Sequence, residues 1–181
     1  SLSYTPDIVI NLQGDTPLTP PPFISEIINC LKSTSADVAT PVTQLSWGDL
    51  DNIRERKQLT PFSGTTAIVN SNYDALWFSK QIIPAIRDEK KLRKNNTLSP
   101  VFRHIGLYGF KYSALKSFIS LPMGYYESLE CLEQLRFIEN GFRIKAVPVN
   151  YGNRPQMSGV DTEADLKLCE RLINNLSEPA R

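Results

Sequence analysis

No stretch of this chain stays apolar for the roughly 20 residues that cross a lipid bilayer, and neither sign of charge dominates it. Its 20 Lys and Arg stand against 19 Asp and Glu, a formal charge of +1. That balance offers nothing to attract nucleic acid or an anionic membrane surface. Metal-ligand chemistry is equally sparse, with one histidine and three cysteines in 181 residues. Cys30, Cys131 and Cys169 lie far apart, without the close pairing of a zinc site, and read as buried thiols in a reducing cytoplasm. No Gly-x-Gly-x-x-Gly follows any apolar run, which disfavours a nicotinamide-binding fold. No secretory leader is visible, and a cytoplasmic location is expected.

What is present is an ordinary globular composition, 41% apolar and 22% charged, in a length that suits one domain with a substantial core. Its organising stretch is residues 7–17, Asp-Ile-Val-Ile-Asn-Leu-Gln-Gly-Asp-Thr-Pro. Ile8, Val9, Ile10 and Leu12 form a short run rich in β-branched residues, as in a strand buried on both faces of a parallel sheet. Gly14, Asp15 and Pro17 then turn the chain sharply. Ligands of open α/β sheets collect beyond the carboxyl ends of strands. Asp15 stands at that edge, either to hold a metal or orient a hydroxyl, or to close an Asx turn or cap a helix.

Ile24, Ile27, Ile28 and Leu31 recur at helical spacing, and residues 38–42 read as a second strand that completes a β-α-β unit. Residues 49–58 are a charged surface helix. Residues 65–69 and 75–79 form two strands joined by a turn whose Asn and Asp tolerate left-handed backbone. Residues 86–96 carry mixed charges without glycine, as in a solvated loop. Residues 105–112 are a strand with Arg103 and His104 at its entrance, and 113–121 are helical.

Residues 127–140 are the clearest helix, with Leu129, Leu132 and Leu135 on its buried side and Gly141 as its stop. Glu130, Glu133, Gln134 and Phe137 share another face, which either points to water or lines a cleft for a polyhydroxylated ligand. Residues 143–149 are a strand. Thr162 and Asp165 open a final helix with a capping-box pattern, and Leu166, Cys169, Leu172, Ile173 and Leu176 form its stripe.

Four segments together, in order and approximate spacing, resemble one family. They are residues 11–17 (Asn-Leu-Gln-Gly-Asp-Thr-Pro), 103–108 (Arg-His-Ile-Gly-Leu-Tyr), 129–136 (Leu-Glu-Cys-Leu-Glu-Gln-Leu-Arg) and 159–162 (Gly-Val-Asp-Thr). Residues 73–84, with Ala-Leu-Trp-Phe-Ser-Lys, share the likeness. The family is the CMP-KDO synthetases, or 3-deoxy-manno-octulosonate cytidylyltransferases.

The resemblance implies a three-layer α/β/α fold with a mostly parallel, mixed central sheet, the Rossmann-like nucleotide-diphospho-sugar transferase fold. Residues 8–12 and 105–110 would be among its central strands. The whole chain, 1–181, would be one N-terminally truncated cytidylyltransferase domain, holding the metal- and sugar-binding half of the site. The implied reaction joins CMP from CTP to the anomeric hydroxyl of 3-deoxy-D-manno-octulosonate (KDO), releasing pyrophosphate, for lipopolysaccharide precursor synthesis. Asp15 and Asp161 would hold catalytic Mg²⁺, a hard cation suited to one or two carboxylates plus phosphate oxygens. Gln13, Arg103, His104, Tyr108, Glu133 and Gln134 would surround the sugar acid, with Arg103 against its carboxylate.

The resemblance also implies a homodimer. Residues 118–126, with Leu121, Met123, Tyr125 and Tyr126, either form the contact between protomers or cover the domain's own core. The chain departs from the family pattern at Thr16, Thr66 and Lys80. The departures at Thr16 and Thr66 keep open another acidic sugar, such as an amino-KDO or a nonulosonic acid. A non-catalytic dimerising relative is the alternative from a different class.

Overall fold

A computed structural model describes residues 5–152, 154–155, 159–160 and 162–175 of the chain. Asp161 and Leu176, both named above, and much of the 152–158 loop lie outside the described residues. In chain order the elements are β1 (Ile8–Leu12), α1 (Pro21–Ser33), β2 (Val38–Ser46), α2 (Trp47–Leu59), β3 (Thr66–Val69) and β4 (Ala75–Ser79). There follow α3 (Glu89–Asn95), β5 (Leu98–His104), β6 (Leu107–Lys111), α4 (Tyr112–Ser120), α5 (Tyr125–Glu130), α6 (Gln134–Glu139), β7 (Ile144–Pro148) and α7 (Glu163–Asn174).

Seven strands make one sheet, ordered β1-β6-β2-β5-β3-β4, with β7 pairing β2 beside that path. Only the β2–β7 pair is parallel; the other five pairings are antiparallel. This corrects the expectation of a mostly parallel sheet. An apolar β-branched run records burial and not direction, and β1 is a half-buried strand at one end of the order, not a central one. It still runs parallel to β2, because β6 lies between them antiparallel to both.

β5 and β6 occupy one side of β2 in succession. β5 pairs with residues 42–46 and β6 with Val38 and Ala39, and the chain between them breaks at Ile105 and Gly106. Pro41 falls opposite that break, where its missing N–H disturbs the ladder least. The expected strand from 105 to 112 is therefore the second half of a longer, interrupted one, and His104 ends β5 instead of opening a strand.

Successive side chains of a strand point to opposite faces, and both faces here are covered by helices. On one, α1 buries Phe23, Ile27 and Leu31 against Ala39, Leu107 and Val147, and α2 adds Trp47 and Leu50. The approach of α1 is close enough to require Gly109 in β6, since a Cβ there would stand 2.3 Å from a methyl of Ile27. On the other face, Leu132, Leu135 and Phe137 pack with Val38, Val42, Phe78, Phe110 and Ile144.

Several local expectations change. The expected helix over 127–140 is two short helices, broken where Cys131 takes left-handed backbone at φ 51°. Leu129 and Cys131 are consequently exposed, and the latter is not a buried thiol. The charged segment 86–96 contains a helix, α3, instead of a loop. Its Glu89 and Arg93 interlock with Asp51 and Arg54 of α2, with Arg54 Nη2 2.8 Å from Glu89 and Arg93 Nη1 3.0 Å from Asp51. In the β3–β4 turn the left-handed residue is Tyr73, while Asn70 closes the turn by accepting from the amides of Asn72 and Asp74. The capping box of α7 forms as expected, with Thr162 and Asp165 exchanging bonds.

Candidate active site

The segment after β1 places Asp15. Its turn is closed by the carbonyl of Gln13, which accepts from the amide of Thr16 at 3.2 Å and from its hydroxyl at 3.0 Å. The Asp15 carboxylate therefore closes no Asx turn and caps no helix. It is exposed and has no hydrogen bond or ion pair among the described residues. The amide of Val160 donates to the Asp15 carbonyl at 2.8 Å, and a Cβ on Gly159 would stand 3.6 Å from Asp15 Oδ2. Gly159 and Val160, the residues before Asp161 in sequence, thus lie against Asp15. Among the described residues no three His, Cys, Asp or Glu side chains gather to hold a metal. A free carboxylate with open space beside it suits Mg²⁺, which typically keeps waters and takes its remaining ligands from phosphates.

Gln13, Tyr108, Glu133 and Gln134 line one cavity of about 360 Å³ between β1, β6, α4 and α6. Val9, Leu115 and Phe118 supply part of its apolar wall. Gln134 is only 4% exposed, and its side-chain nitrogen has no hydrogen-bond partner among the described residues. Desolvation raises the Tyr108 phenol above its usual range, and the charge of Glu133 adds to the shift. Glu133 and Gln134 share the cavity because both sit at the start of α6, not because one long helix presents a face. Glu130 belongs elsewhere, accepting from the Ser79 hydroxyl at 2.8 Å and the Lys80 amide at 2.7 Å.

His104 and Arg103 are neighbours on β5 and point to opposite faces. The His104 ring lies 5.3 Å from the Tyr108 ring and 5.2 Å from that of Phe78, on the face of the Gln134 cavity. Arg103 turns the other way, 3.5 Å from the Tyr151 hydroxyl, into a separate cavity of about 370 Å³ lined also by Asp49, Asn52, Arg56 and Arg154. Lys80 and Thr40 are the participants that residue patterns missed. Lys80 is legible only as a departure from the family, and nothing in its local sequence marks Thr40. Within residues 118–126, Phe118 stacks on Phe137 inside the core at 4.5 Å, whereas Met123, Tyr125 and Tyr126 are exposed.

Burial pushes the His104 imidazole down to about 3, and the positive charges of Lys80 and Arg103 push the same way. In the unfolded chain the group titrates near 6.5. Between those values the unfolded chain binds a proton that the folded protein refuses, so stability falls as pH drops below about 6.5. The slope is at most roughly 1.4 kcal/mol per pH unit, and above 6.5 the contribution is nil. Glu89, held down to about 2 by Arg54 and Arg93, loses its contribution only below its ordinary 4.5. Urea midpoints from pH 7 to 4.5 are therefore expected to fall in the native protein and to fall less in His104→Gln. Equal slopes would contradict the neutral imidazole.

Comparison with known proteins shows the family. Residues 2–145 match the family model described as Cytidylyltransferase. The chain is 38% identical over 173 residues to the 3-deoxy-manno-octulosonate cytidylyltransferase of Maricaulis maris, covering 95% of this chain and 64% of that protein. It is 35% identical over 172 residues to the enzyme of the same name from Thermodesulfovibrio yellowstonii, covering 94% and 62%. Among solved structures it resembles CMP:2-keto-3-deoxy-manno-octonic acid synthetase complexed with CTP. The TM-score is 0.74 and the identity 30%, over 93% of this chain and 62% of that one. The chain thus spans a little under two thirds of the length of these relatives. On a matched model over most of its length, the chain belongs to the cytidylyltransferase family.

Proposed function

We propose that the protein transfers CMP from CTP to the anomeric hydroxyl of 3-deoxy-D-manno-octulosonate, releasing pyrophosphate. One observation carries the sugar side of this reading: a buried Gln134 amide nitrogen without a partner among the described residues, in a cavity that also holds Gln13, Tyr108 and Glu133. A buried donor left unpaired is costly, and a polyhydroxylated ligand would satisfy it. Glu133 and Gln13 would receive further hydroxyls. Apolar side chains, among them Val9, Leu115 and Phe118, make up most of the rest of the lining.

Two cations bear on the sugar's carboxylate. Arg103 has the guanidinium fork but lies on the far side of β5 from that cavity, and the charge of Lys80 also reaches the His104 imidazole. We assign the carboxylate to Lys80 and the Arg103 fork to the wall made with Tyr151. Asp15 would hold Mg²⁺, with Asp161 as the second carboxylate by family resemblance. Bound there, Mg²⁺ would supply Lewis-acid polarisation of the α-phosphate of CTP. In the transfer, the anomeric oxygen gives up its proton and bonds to the α-phosphorus, and the bond from that phosphorus to pyrophosphate breaks.

Steady-state kinetics of Gln134→Leu test this reading. Losing one hydrogen bond to a sugar hydroxyl is expected to raise KM for the sugar acid about 10-fold. KM for CTP should change little. A rise confined to CTP would overturn the assignment of the cavity.

A further inference from the structure

Thr40 is fully buried in β2, at the interval where β5 gives way to β6. Its hydroxyl oxygen lies 2.8 Å from His104 Nε2, 2.8 Å from the carbonyl oxygen of Leu107 and 3.3 Å from that of Ile105. A threonine hydroxyl has one proton to give, and a carbonyl oxygen can only accept. The proton therefore goes to a carbonyl, with Leu107 the nearer. Toward the ring, the Thr40 oxygen is left as an acceptor, and the proton in that bond must come from Nε2. The opposite arrangement, Thr40 donating to a bare Nε2, would set the lone pairs of two buried oxygens against each other at 2.8 Å.

We infer that Thr40 is a positioning residue that holds His104 as its Nε2–H tautomer, leaving Nδ1 as a hydrogen-bond acceptor. Which nitrogen of a histidine accepts is set by the bond the other one makes, and here that bond is fixed by a residue with no other use for its oxygen. The Phe78 and Tyr108 rings pack against the imidazole, at 5.2 and 5.3 Å between ring centres. Lys80 and Arg103, the charged groups acting on it, both disfavour a second proton. An acceptor nitrogen takes a hydroxyl donor and repels a carboxylate or phosphate oxygen. Resting on the reading proposed above, this assigns His104 to a hydroxyl of the sugar acid, not to its carboxylate and not to a phosphate of CTP. Thr40 thereby becomes a determinant of which group of the substrate faces β5.

His104 is the only histidine of the chain, so ¹⁵N-histidine labelling reports a single ring. In ligand-free protein at pH 7, the ring-nitrogen shifts and their two-bond couplings are expected to show a protonated Nε2 and a bare Nδ1. Thr40→Ser, which keeps the hydroxyl, should preserve the pattern. Thr40→Val, which has the same shape without it, should shift population toward the Nδ1–H form. A native Nδ1–H tautomer, a native imidazolium, or a Thr40→Val spectrum identical to the native one would overturn the inference. Should the valine variant not fold, the native and Thr40→Ser spectra decide alone, an Nδ1–H pattern in either being the overturning result. Because these spectra contain no substrate, they stand apart from the sugar reading. If the tautomer is as inferred but KM for the sugar acid is unchanged in Thr40→Val, the substrate assignment fails and the positioning role survives.

Discussion

Asp15→Asn is expected to lower CMP transfer by on the order of 10³-fold, the loss that follows when several kcal/mol of charge stabilisation leave the transition state. The fold should hardly notice. The Asp15 carboxylate is exposed and makes no bond among the described residues, so stability should stay within about 0.5 kcal/mol of native. Activity measured against Mg²⁺ concentration, alongside urea denaturation, separates the two effects. Full activity in this variant would sink the metal assignment, and a large loss of stability would show that Asp15 has a structural role instead.

Arg136→Ala should do the reverse, destabilising the protein by about 3–5 kcal/mol because it strands a buried carboxylate. The Arg136 and Glu127 side chains are 15% and 5% exposed and meet through two bonds, one of them Nε to Oε2 at 2.6 Å. The guanidinium beside it holds the Glu127 carboxyl below its ordinary range. Glu127 also accepts from the amide of Gly124 at 2.8 Å, and Arg136 lies 4.1 Å above the Phe118 ring. This pair ties α5 to α6, and α6 opens with the two cavity residues Glu133 and Gln134. Urea unfolding of Arg136→Ala, and of a double variant with Glu127→Gln and Arg136→Met, tests the claim. The double variant should recover most of the loss, and a near-neutral Arg136→Ala would contradict it.

These two residues also show what sequence pattern reveals and what it hides. The place of Asp15 just beyond a strand's end was legible, because an apolar run followed by Gly-Asp is a local signal. The same holds for α1, the β3–β4 hairpin and the Thr162–Asp165 cap, each set by neighbours within one turn or one hairpin. Sheet direction was not legible: β1 carries the composition of a central parallel strand yet pairs antiparallel at the end of the order. Nor was the break at Cys131, since leucine spacing runs across it undisturbed and only a left-handed non-glycine residue marks it. The charges of α3 looked solvated because their partners, Asp51 and Arg54, stand some forty residues away in sequence. Arg103 and His104 look like a pair in sequence, and strand alternation sends them to opposite faces. The setting of His104 depends on Thr40, Phe78 and Lys80, three residues that no linear motif connects to it.

The central claim is that the cavity around Gln134 receives the sugar acid, and the side-chain amide of Gln134 can report on it directly. In ¹⁵N spectra of the protein titrated with KDO, the Gln134 NH₂ resonances are predicted to move in a saturable way, together with the signals of Tyr108 and Glu133. Saturable shifts confined to Arg103 and Tyr151, with Gln134 unmoved, would place the ligand on the other face of the sheet and contradict the account.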